Sequence, residues 1–108
     1  MDGASKLITD EVTSWPEVEC GPGRRGEFAF TVGRHEIGHL HGDRAAHFFF
    51  GRELGLRLKE EGRVVDHPVF PGKPGPAARR IETPVDVEEV IDLLRLNYDR
   101  VRARGRGA

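Results

Sequence analysis

The chain of 108 residues is long enough for one domain with a single hydrophobic core. Hydrophobic residues make up 37% and charged residues 32% of it, a composition typical of a globular protein and not of a disordered or fibrous one. The formal net charge of −1 excludes a globally basic nucleic-acid binder. No apolar run approaches the ~20 residues of a membrane span. We therefore expect neither a nucleic-acid nor a membrane partner.

Cysteine usage and the first residues bear on the cellular compartment. Cys20 is the single cysteine, which excludes an internal disulfide and a multi-cysteine metal cluster and is typical of a reducing compartment. The first ten residues lack the basic start, apolar stretch and cleavage site of a signal peptide. We therefore expect a cytoplasmic protein.

The first half of the chain predicts one helix and three short strands. Apolar residues recur at helical spacing from about Asp2 or Ser5 to Ser14, and Trp15-Pro16 ends this helix because the residue before a proline avoids the α region. Apolar and polar residues then alternate in short runs, the period of a half-buried strand. The predicted strands are Val18–Cys20, Glu27–Val32 and His35–His41.

The second half predicts two helices and two extended segments. A helix is expected over Phe50–Glu61, followed by extended chain at Val64–Phe70 and Ala78–Glu82. Thr83 begins the last helix, where it caps the first turn together with Asp86 in a Thr-x-x-Asp box. An apolar stripe continues this helix to Val101. The proline-rich segment 68–76 is a strand connector or the rim of a site.

The element order α-β-β-β-α-β-β-α predicts the fold class. It is an α+β fold, a single domain over residues 1–108 in which about three helices pack on an antiparallel sheet. The core is expected over about residues 5–101. Residues 102–108 carry arginines among glycine and alanine and are expected to form a flexible basic tail.

The histidine-rich segment His35–Asp43 is the strongest candidate for a functional surface. If it is extended, its odd-numbered residues, including His39, His41 and Asp43, point to one face. The even-numbered residues, including Glu36, then point to the other face. Two imidazoles on the same face and two positions apart can converge on one ligand atom.

Three interpretations of this surface are open. The imidazoles can simply hydrogen-bond to their surroundings, they can act as acids and bases without a metal, or they can bind a divalent ion together with Asp43 and with His67 from another strand. The spacing of the two histidines also begins the cupin metal motif, but the glutamate that completes it falls on Ala45 or Ala46. Three helices also argue against an all-β barrel, so a cupin is rejected.

Motifs from about Val12 to Arg100 carry a family resemblance, and Gly38-His39-Leu40-His41-Gly42-Asp43 is the most specific of them. The others are Trp15-Pro16-x-Val18, Glu27-Phe28, Gly33-Arg34-x-Glu36, Leu58-x-x-Glu61-Gly62-Arg63, His67-x-x-Phe70-Pro71 and Asp86-Val87-Glu88 with Leu93-Leu94-Arg95-x-x-Tyr98. Together they resemble the luciferase-like domain family, which occurs in many uncharacterised bacterial proteins and takes its name from fungal luciferases.

The resemblance implies a reaction class and a set of catalytic residues. Fungal luciferases oxygenate a hydroxylated polyphenolic pyrone with molecular oxygen, without a required metal or added cofactor. By position the candidate catalytic residues are His39, His41, Asp43 and His67, and we expect no metal and no cofactor. One histidine would deprotonate an acidic enol or phenol, a second would hold the oxyanion, and Asp43 would fix a tautomer.

Three further residues are candidates for substrate binding, and alternatives to an enzyme are open. Phe49 and Phe50 are candidate aromatic contacts, although such residues more often belong to the core, and Arg79 is a candidate anion contact. A small-molecule ligand is the expected partner. The alternatives are a non-catalytic binding module or a homodimer built on the same surface.

Overall fold

The computed structural model describes residues 1–23 and 28–107. These residues form three helices and a six-stranded antiparallel sheet. The elements in chain order are α1 (Ala4–Val12), β1 (Val18–Pro22), β2 (Phe28–Val32), β3 (His35–His41), β4 (Ala45–Phe49), α2 (Arg52–Glu60), β5 (Val65–Asp66), β6 (Pro76–Arg80) and α3 (Pro84–Gly107). The predicted α+β class, with three helices and an antiparallel sheet, is confirmed. Glu27, the expected start of the second strand, lies outside the described residues.

Strand β4 is an element that the sequence analysis did not predict. Its residues alternate between the two faces of the sheet, with Ala46 and Phe48 buried in the core. Gly51, whose positive φ of 81° favours glycine, separates the strand from α2. The expected helix start at Phe50 was therefore wrong, because the aromatic run ends a strand and the helix begins at Arg52.

Strand β5 is shorter than the extended segment predicted over Val64–Phe70. It contains Val65 and Asp66 alone, and the chain then turns, with Phe70 N donating to the carbonyl of His67 at 3.1 Å. Pro68 has no N–H and cannot continue the ladder, so the strand ends before it. The turn brings residues 67–70 back toward the neighbouring strands.

The strands lie in the order β1-β2-β3-β4-β6-β5, with every neighbouring pair antiparallel. One row of paired residues crosses the whole sheet at its centre. The row is Gly21, Ala29, His39, His47, Ala78 and Val65. Two adjacent histidines are thus flanked by alanines, which leave open space above the sheet on either side of the imidazoles.

A β-bulge interrupts the pairing of β2 with β3. Phe30 pairs with Gly38 and Thr31 pairs with Glu36, so Ile37 is an extra residue on β3. The extra residue reverses the alternation on one side of the bulge. Glu36 therefore lies on the same face as His39, and the predicted assignment of Glu36 to the opposite face was wrong.

The hydrophobic core lies between the other face of the sheet and the helices. Helix α3 contacts β2, β3 and β4, and it also packs against α1. At Gly38 a Cβ atom would lie 2.6 Å from Leu94 Cδ2, so the glycine permits the close approach of α3 to β3. The largest fully buried side chains are Tyr98, Phe30, Phe48, Phe50, Ile8, Ile37, Leu40, Leu58, Leu93, Leu94, Val12 and Val90.

Helix α3 begins as predicted and extends further than predicted. The backbone N–H of Thr83 donates to Asp86 Oδ2 at 3.0 Å, and that of Asp86 donates to Thr83 Oγ1 at 3.3 Å, which is a reciprocal capping box. The helix includes residues 102–107 of the segment expected to be a tail, and the Arg102 guanidinium lies over the Tyr98 ring, 5.2 Å from its centroid. None of the helices in the described ranges combines the length and apolar character needed to cross a membrane.

Candidate histidine pocket

A pocket of about 600 Å³ opens on the sheet face opposite the core. The described residues that line it are Pro22, Gly23, Ala29, Thr31, Glu36, His39, His41, His47, Phe49, His67, Val69 and Phe70. Three adjacent strands, β2, β3 and β4, provide the floor, and the turn after β5 provides a wall. The pocket therefore combines polar imidazoles with apolar and aromatic side chains, as small-molecule sites do.

His39 is the buried centre of the floor, with 8% of its surface exposed. Its Nδ1 atom lies 2.8 Å from Glu36 Oε2. Because a carboxylate accepts hydrogen bonds, His39 donates its Nδ1 proton, and the lone pair of the neutral imidazole is then at Nε2. The bulge at Ile37 produces this pair, since it turns Glu36 to the face of His39.

His47 lies directly opposite His39 on β4 and is the centre of a cluster of four imidazoles. Its ring centroid is 5.1 Å from that of His39, 4.2 Å from that of His41 and 4.3 Å from that of His67. His47 Nδ1 also shares a hydrogen bond of 3.1 Å with His41 Nε2.

The cluster changes the protonation of His47. Burial in the first place, and then the neighbouring His41, His67 and His39, lower the pKa of His47 from 6.5 to about 4. Four imidazolium ions in one pocket would repel one another, and the lowered pKa avoids part of that repulsion. His47 is therefore neutral at physiological pH.

His67 closes the pocket from the turn after β5. It is 4% exposed, and its Nδ1 atom accepts a hydrogen bond of 3.1 Å from the backbone N–H of Val69. A nitrogen that accepts carries no proton, so the neutral ring holds its proton at Nε2. Phe49 and Phe70 pack around this imidazole, with ring centroids 5.6 and 5.2 Å from it.

The structure brings together three of the four predicted catalytic residues, namely His39, His41 and His67. It does not bring Asp43 to the pocket. The Asp43 carboxylate accepts hydrogen bonds from the backbone N–H groups of Ser5 at 2.8 Å and Gly3 at 3.3 Å. It therefore satisfies the first turn of α1, where free N–H groups and the helix dipole favour an anion.

Of the three predicted substrate-binding residues, Phe49 alone lies at the pocket. Phe50 is fully buried and stacks on Phe48 in the core, where a pocket ligand does not reach it. Arg79 lies outside the pocket lining and donates to Asp86 Oδ1 at 2.7 Å and to the carbonyl of Arg63 at 2.8 Å. This arginine joins β6 to the start of α3.

Two pocket residues were missed as site residues by the sequence analysis, Glu36 and His47. His47 was missed because its strand was not recognised; the turn at Gly42, directly after β3, was the available signal of a further strand. Glu36 was assigned to the wrong face because nothing in the local pattern indicates the bulge. The predicted metal site that includes Asp43 was also wrong, because this carboxylate lies at α1 and not in the pocket. The described residues that could hold an ion are His39, His47 and His67.

Comparison with protein families gives one result. The model of the luciferase domain matches residues 34–97, which include β3, β4, the four clustered histidines and most of α3. Comparison with curated proteins and with solved structures gives no match. The family match covers more than half of the chain, and with the predicted motifs it shows that the chain belongs to the luciferase domain family.

Proposed function

We propose that the histidine pocket binds a small, planar, weakly acidic molecule, an enol or a phenol, and that His39 removes its proton. The observation that carries the proposal is the Glu36–His39 pair at 2.8 Å on the floor of the pocket. The proposal assigns the catalytic role to His39, with Glu36 as its positioning residue.

The chemistry of a general base follows from the hydrogen bond of Nδ1. Glu36 accepts the Nδ1 proton, so the lone pair at Nε2 can accept a proton from a substrate. When Nε2 is protonated, the imidazolium is stabilised by the adjacent carboxylate, which also fixes the orientation of the ring.

The anion that forms needs a hydrogen-bond donor in the pocket. The tautomer of His67, with its proton at Nε2, makes this residue the proposed donor to the enolate or phenolate oxygen. Neutral His47 limits the positive charge of the cluster, so the pocket can also receive an uncharged substrate. We propose His41 as a residue that orients His47, which it contacts at 3.1 Å.

The walls of the pocket support a planar and largely apolar ligand. Phe49, Val69 and Phe70 line the pocket and are 37%, 53% and 41% exposed. Aromatic side chains in such a position bind the face or edge of another ring. An acidic hydroxyl near His39 and a ring against the phenylalanines would satisfy both parts of the lining.

The family provides the proposed second step, oxygenation. Proton transfer to His39 leaves an electron-rich carbanion or enolate, which passes two electrons to molecular oxygen as the new C–O bond forms. The peroxide oxygen then takes the proton back from His39, so that one substrate and one O₂ give one hydroperoxide. No external reductant enters this balance.

The test uses hydroxylated pyrones and phenols as probes and their O-methyl ethers as controls. Binding is followed by the shift of the thermal unfolding midpoint, proton removal by the absorbance of the bound phenolate, and turnover by oxygen uptake. We expect His39→Gln to lose the phenolate spectrum and to lower oxygen uptake by about 10²–10⁴-fold, the usual contribution of a general base.

The control variant is His35→Gln, which changes an exposed histidine of the same strand outside the pocket lining. It should behave as the wild type. A phenolate spectrum that persists in His39→Gln would contradict the base, and a probe that stabilises all variants equally would contradict the binding site.

Binding without turnover is the second candidate function, and the exposed apolar wall favours it. Large apolar side chains that remain in contact with solvent are common at ligand and partner sites. Probes that bind with the expected dependence on His39 but give no oxygen uptake would favour this candidate. A homodimer through the same wall would be detected by sedimentation of the free protein.

A further inference from the structure

Three histidines of the pocket lie close enough to share one ligand. His39, His47 and His67 each offer one ring nitrogen, and these three nitrogen atoms all lie within 4.8 Å of one another. His39 and His67 are buried, whereas His47 is half-buried toward the pocket. The three rings are held by different parts of the fold, β3, β4 and the turn after β5, so the set is a tertiary arrangement and not a sequence motif.

We propose that His39, His47 and His67 form a binding site for a single divalent transition-metal ion, with Zn²⁺ as its probe. Imidazole nitrogens bind Zn²⁺ at ~2.0–2.1 Å, and in a tetrahedral arrangement the nitrogens are then about 3.3 Å apart. At a present spacing of up to 4.8 Å, binding requires the side chains to rotate toward one another. Three protein ligands would leave a fourth coordination position of the ion open.

The neighbours of His39 and His47 fit the requirements of a metal site. His39 uses Nδ1 to donate to Glu36, which orients the ring and directs the Nε2 lone pair away from the carboxylate. His47 can donate from Nδ1 to His41 Nε2 across 3.1 Å and keep its other nitrogen for an ion. Carboxylates and acceptors bound to the second nitrogen of a ligating histidine are a regular feature of protein metal sites.

His67 provides a specific signature of metal binding. Its Nδ1 accepts the Val69 N–H, so Nε2 carries the ring proton in the metal-free protein. Coordination through Nε2 moves that proton to Nδ1, which can then no longer accept from Val69. Zn²⁺ binding should therefore break this hydrogen bond and shift the amide resonance of Val69.

The metal site does not depend on the proposed reaction, but a bound ion would affect that reaction. Coordination takes the lone pair of His39 Nε2, so a bound ion prevents this residue from accepting a proton. Zn²⁺ should thus inhibit the metal-free reaction. If His39 proves not to be a base, Zn²⁺ binding is still expected, and if Zn²⁺ fails to bind, the base is unaffected.

The experiment measures Zn²⁺ binding to the full chain after treatment with EDTA. Titration calorimetry compares the wild type with His39→Ala, His47→Ala and His67→Ala, and His35→Ala is the matched control. Glu36 would contact a ligand and not the ion, so Glu36→Gln should lower the affinity for Zn²⁺ by roughly 10- to 100-fold. Each of the three ligand variants should lower it by more than that. The control should bind as the wild type does.

Two measurements on the wild type keep the proposal testable even where a variant is poorly folded. X-ray absorption of the Zn²⁺ complex should count three imidazole ligands, and the amide spectrum should show the shift of Val69. A wild type that does not bind Zn²⁺, a complex with one or no imidazole, or equal affinity in the three ligand variants and the control would overturn the site.

Discussion

Asn97 on α3 connects the helix to the bulge that underlies the histidine pocket, and Asn97→Ala tests this connection. The side chain is fully buried, and Nδ2 donates to the carbonyl of Ile37 at 2.8 Å. Ile37 is the extra residue of β3, at a place where a bulge disrupts the regular ladder of the sheet. The amide therefore supports the backbone conformation that turns Glu36 toward His39.

The expected loss of stability follows from the hydrogen bonds that alanine removes. Asn97 Nδ2 also donates to the carbonyl of Phe49 at 3.3 Å, but in the variant that oxygen still accepts a hydrogen bond from Arg100 Nη2 at 3.1 Å. One buried carbonyl, that of Ile37, loses the amide donor. We expect the free energy of unfolding to fall by about 1–3 kcal/mol, the cost of an unsatisfied buried polar group.

Urea unfolding followed by circular dichroism measures this loss, and ¹⁵N resonances of the imidazoles report its effect on the pocket. In Asn97→Ala the His39 signals should move away from the tautomer protonated at Nδ1, because Glu36 is less firmly held. Arg100→Met is the control, since it removes the bond from Arg100 Nε to Asn97 Oδ1 but leaves Ile37 its donor. Equal stability losses and unchanged His39 signals in both variants would refute the connection.

Three further substitutions test other parts of the structure. Asp43→Ala should lower the free energy of unfolding by about 1 kcal/mol, since it uncaps α1, yet leave probe binding intact; lost binding in the folded variant would contradict its structural role. Gly38→Ala should cost about 1–3 kcal/mol in urea unfolding, because the new Cβ lies 2.6 Å from Leu94 Cδ2 and 3.0 Å from the carbonyl oxygen of His47; unchanged stability would contradict the close packing. The third test lowers the pH with EDTA present. Between pH 6.5 and about 4, His47 is protonated in the unfolded chain but not in the folded chain, so the free energy of unfolding decreases as the pH is lowered through this range. By about pH 5 the loss of unfolding free energy due to His47 is about 2 kcal/mol, or about 1 kcal/mol after solvent screening. His47→Gln should remove this contribution, and a variant whose stability depends on pH as that of the wild type does would contradict the lowered pKa.

The fold class was predictable because its signals are local. The capping box at Thr83 and Asp86 identified the start of α3, and alternating residues identified β2 and β3. Strand β4 was not recognised because Phe48, Phe49 and Phe50 form a continuous apolar run, which does not by itself distinguish a strand end from a helix start. Packing decides between them: Phe48 and Phe50 enter the core, whereas Phe49 lies in the pocket.

The candidate site was predictable in part for the same reason. His39 and His41 alternate on one strand, and the structure brings both to the pocket. Asp43 continues the alternation in the sequence, but Gly42, with a φ of 57°, begins the turn and directs the chain toward α1. The position of the carboxylate depends on free N–H groups of a helix almost forty residues earlier in the chain, and no local pattern contains that information.

The carboxylate that does reach the pocket depends on the bulge in β3. If the same residues formed a regular strand, Glu36 and His39 would lie on opposite faces, because their positions differ by three and a regular strand alternates with a period of two. Because the bulge accommodates Ile37 as an extra residue, both side chains lie on the pocket face, and Ile37 itself enters the core. Bulges of this kind frequently redirect a side chain beside a functional site. Deletion of Ile37 would leave Glu36 and His39 two positions apart in a regular strand, so both should stay on the pocket face while the core loses the Ile37 side chain.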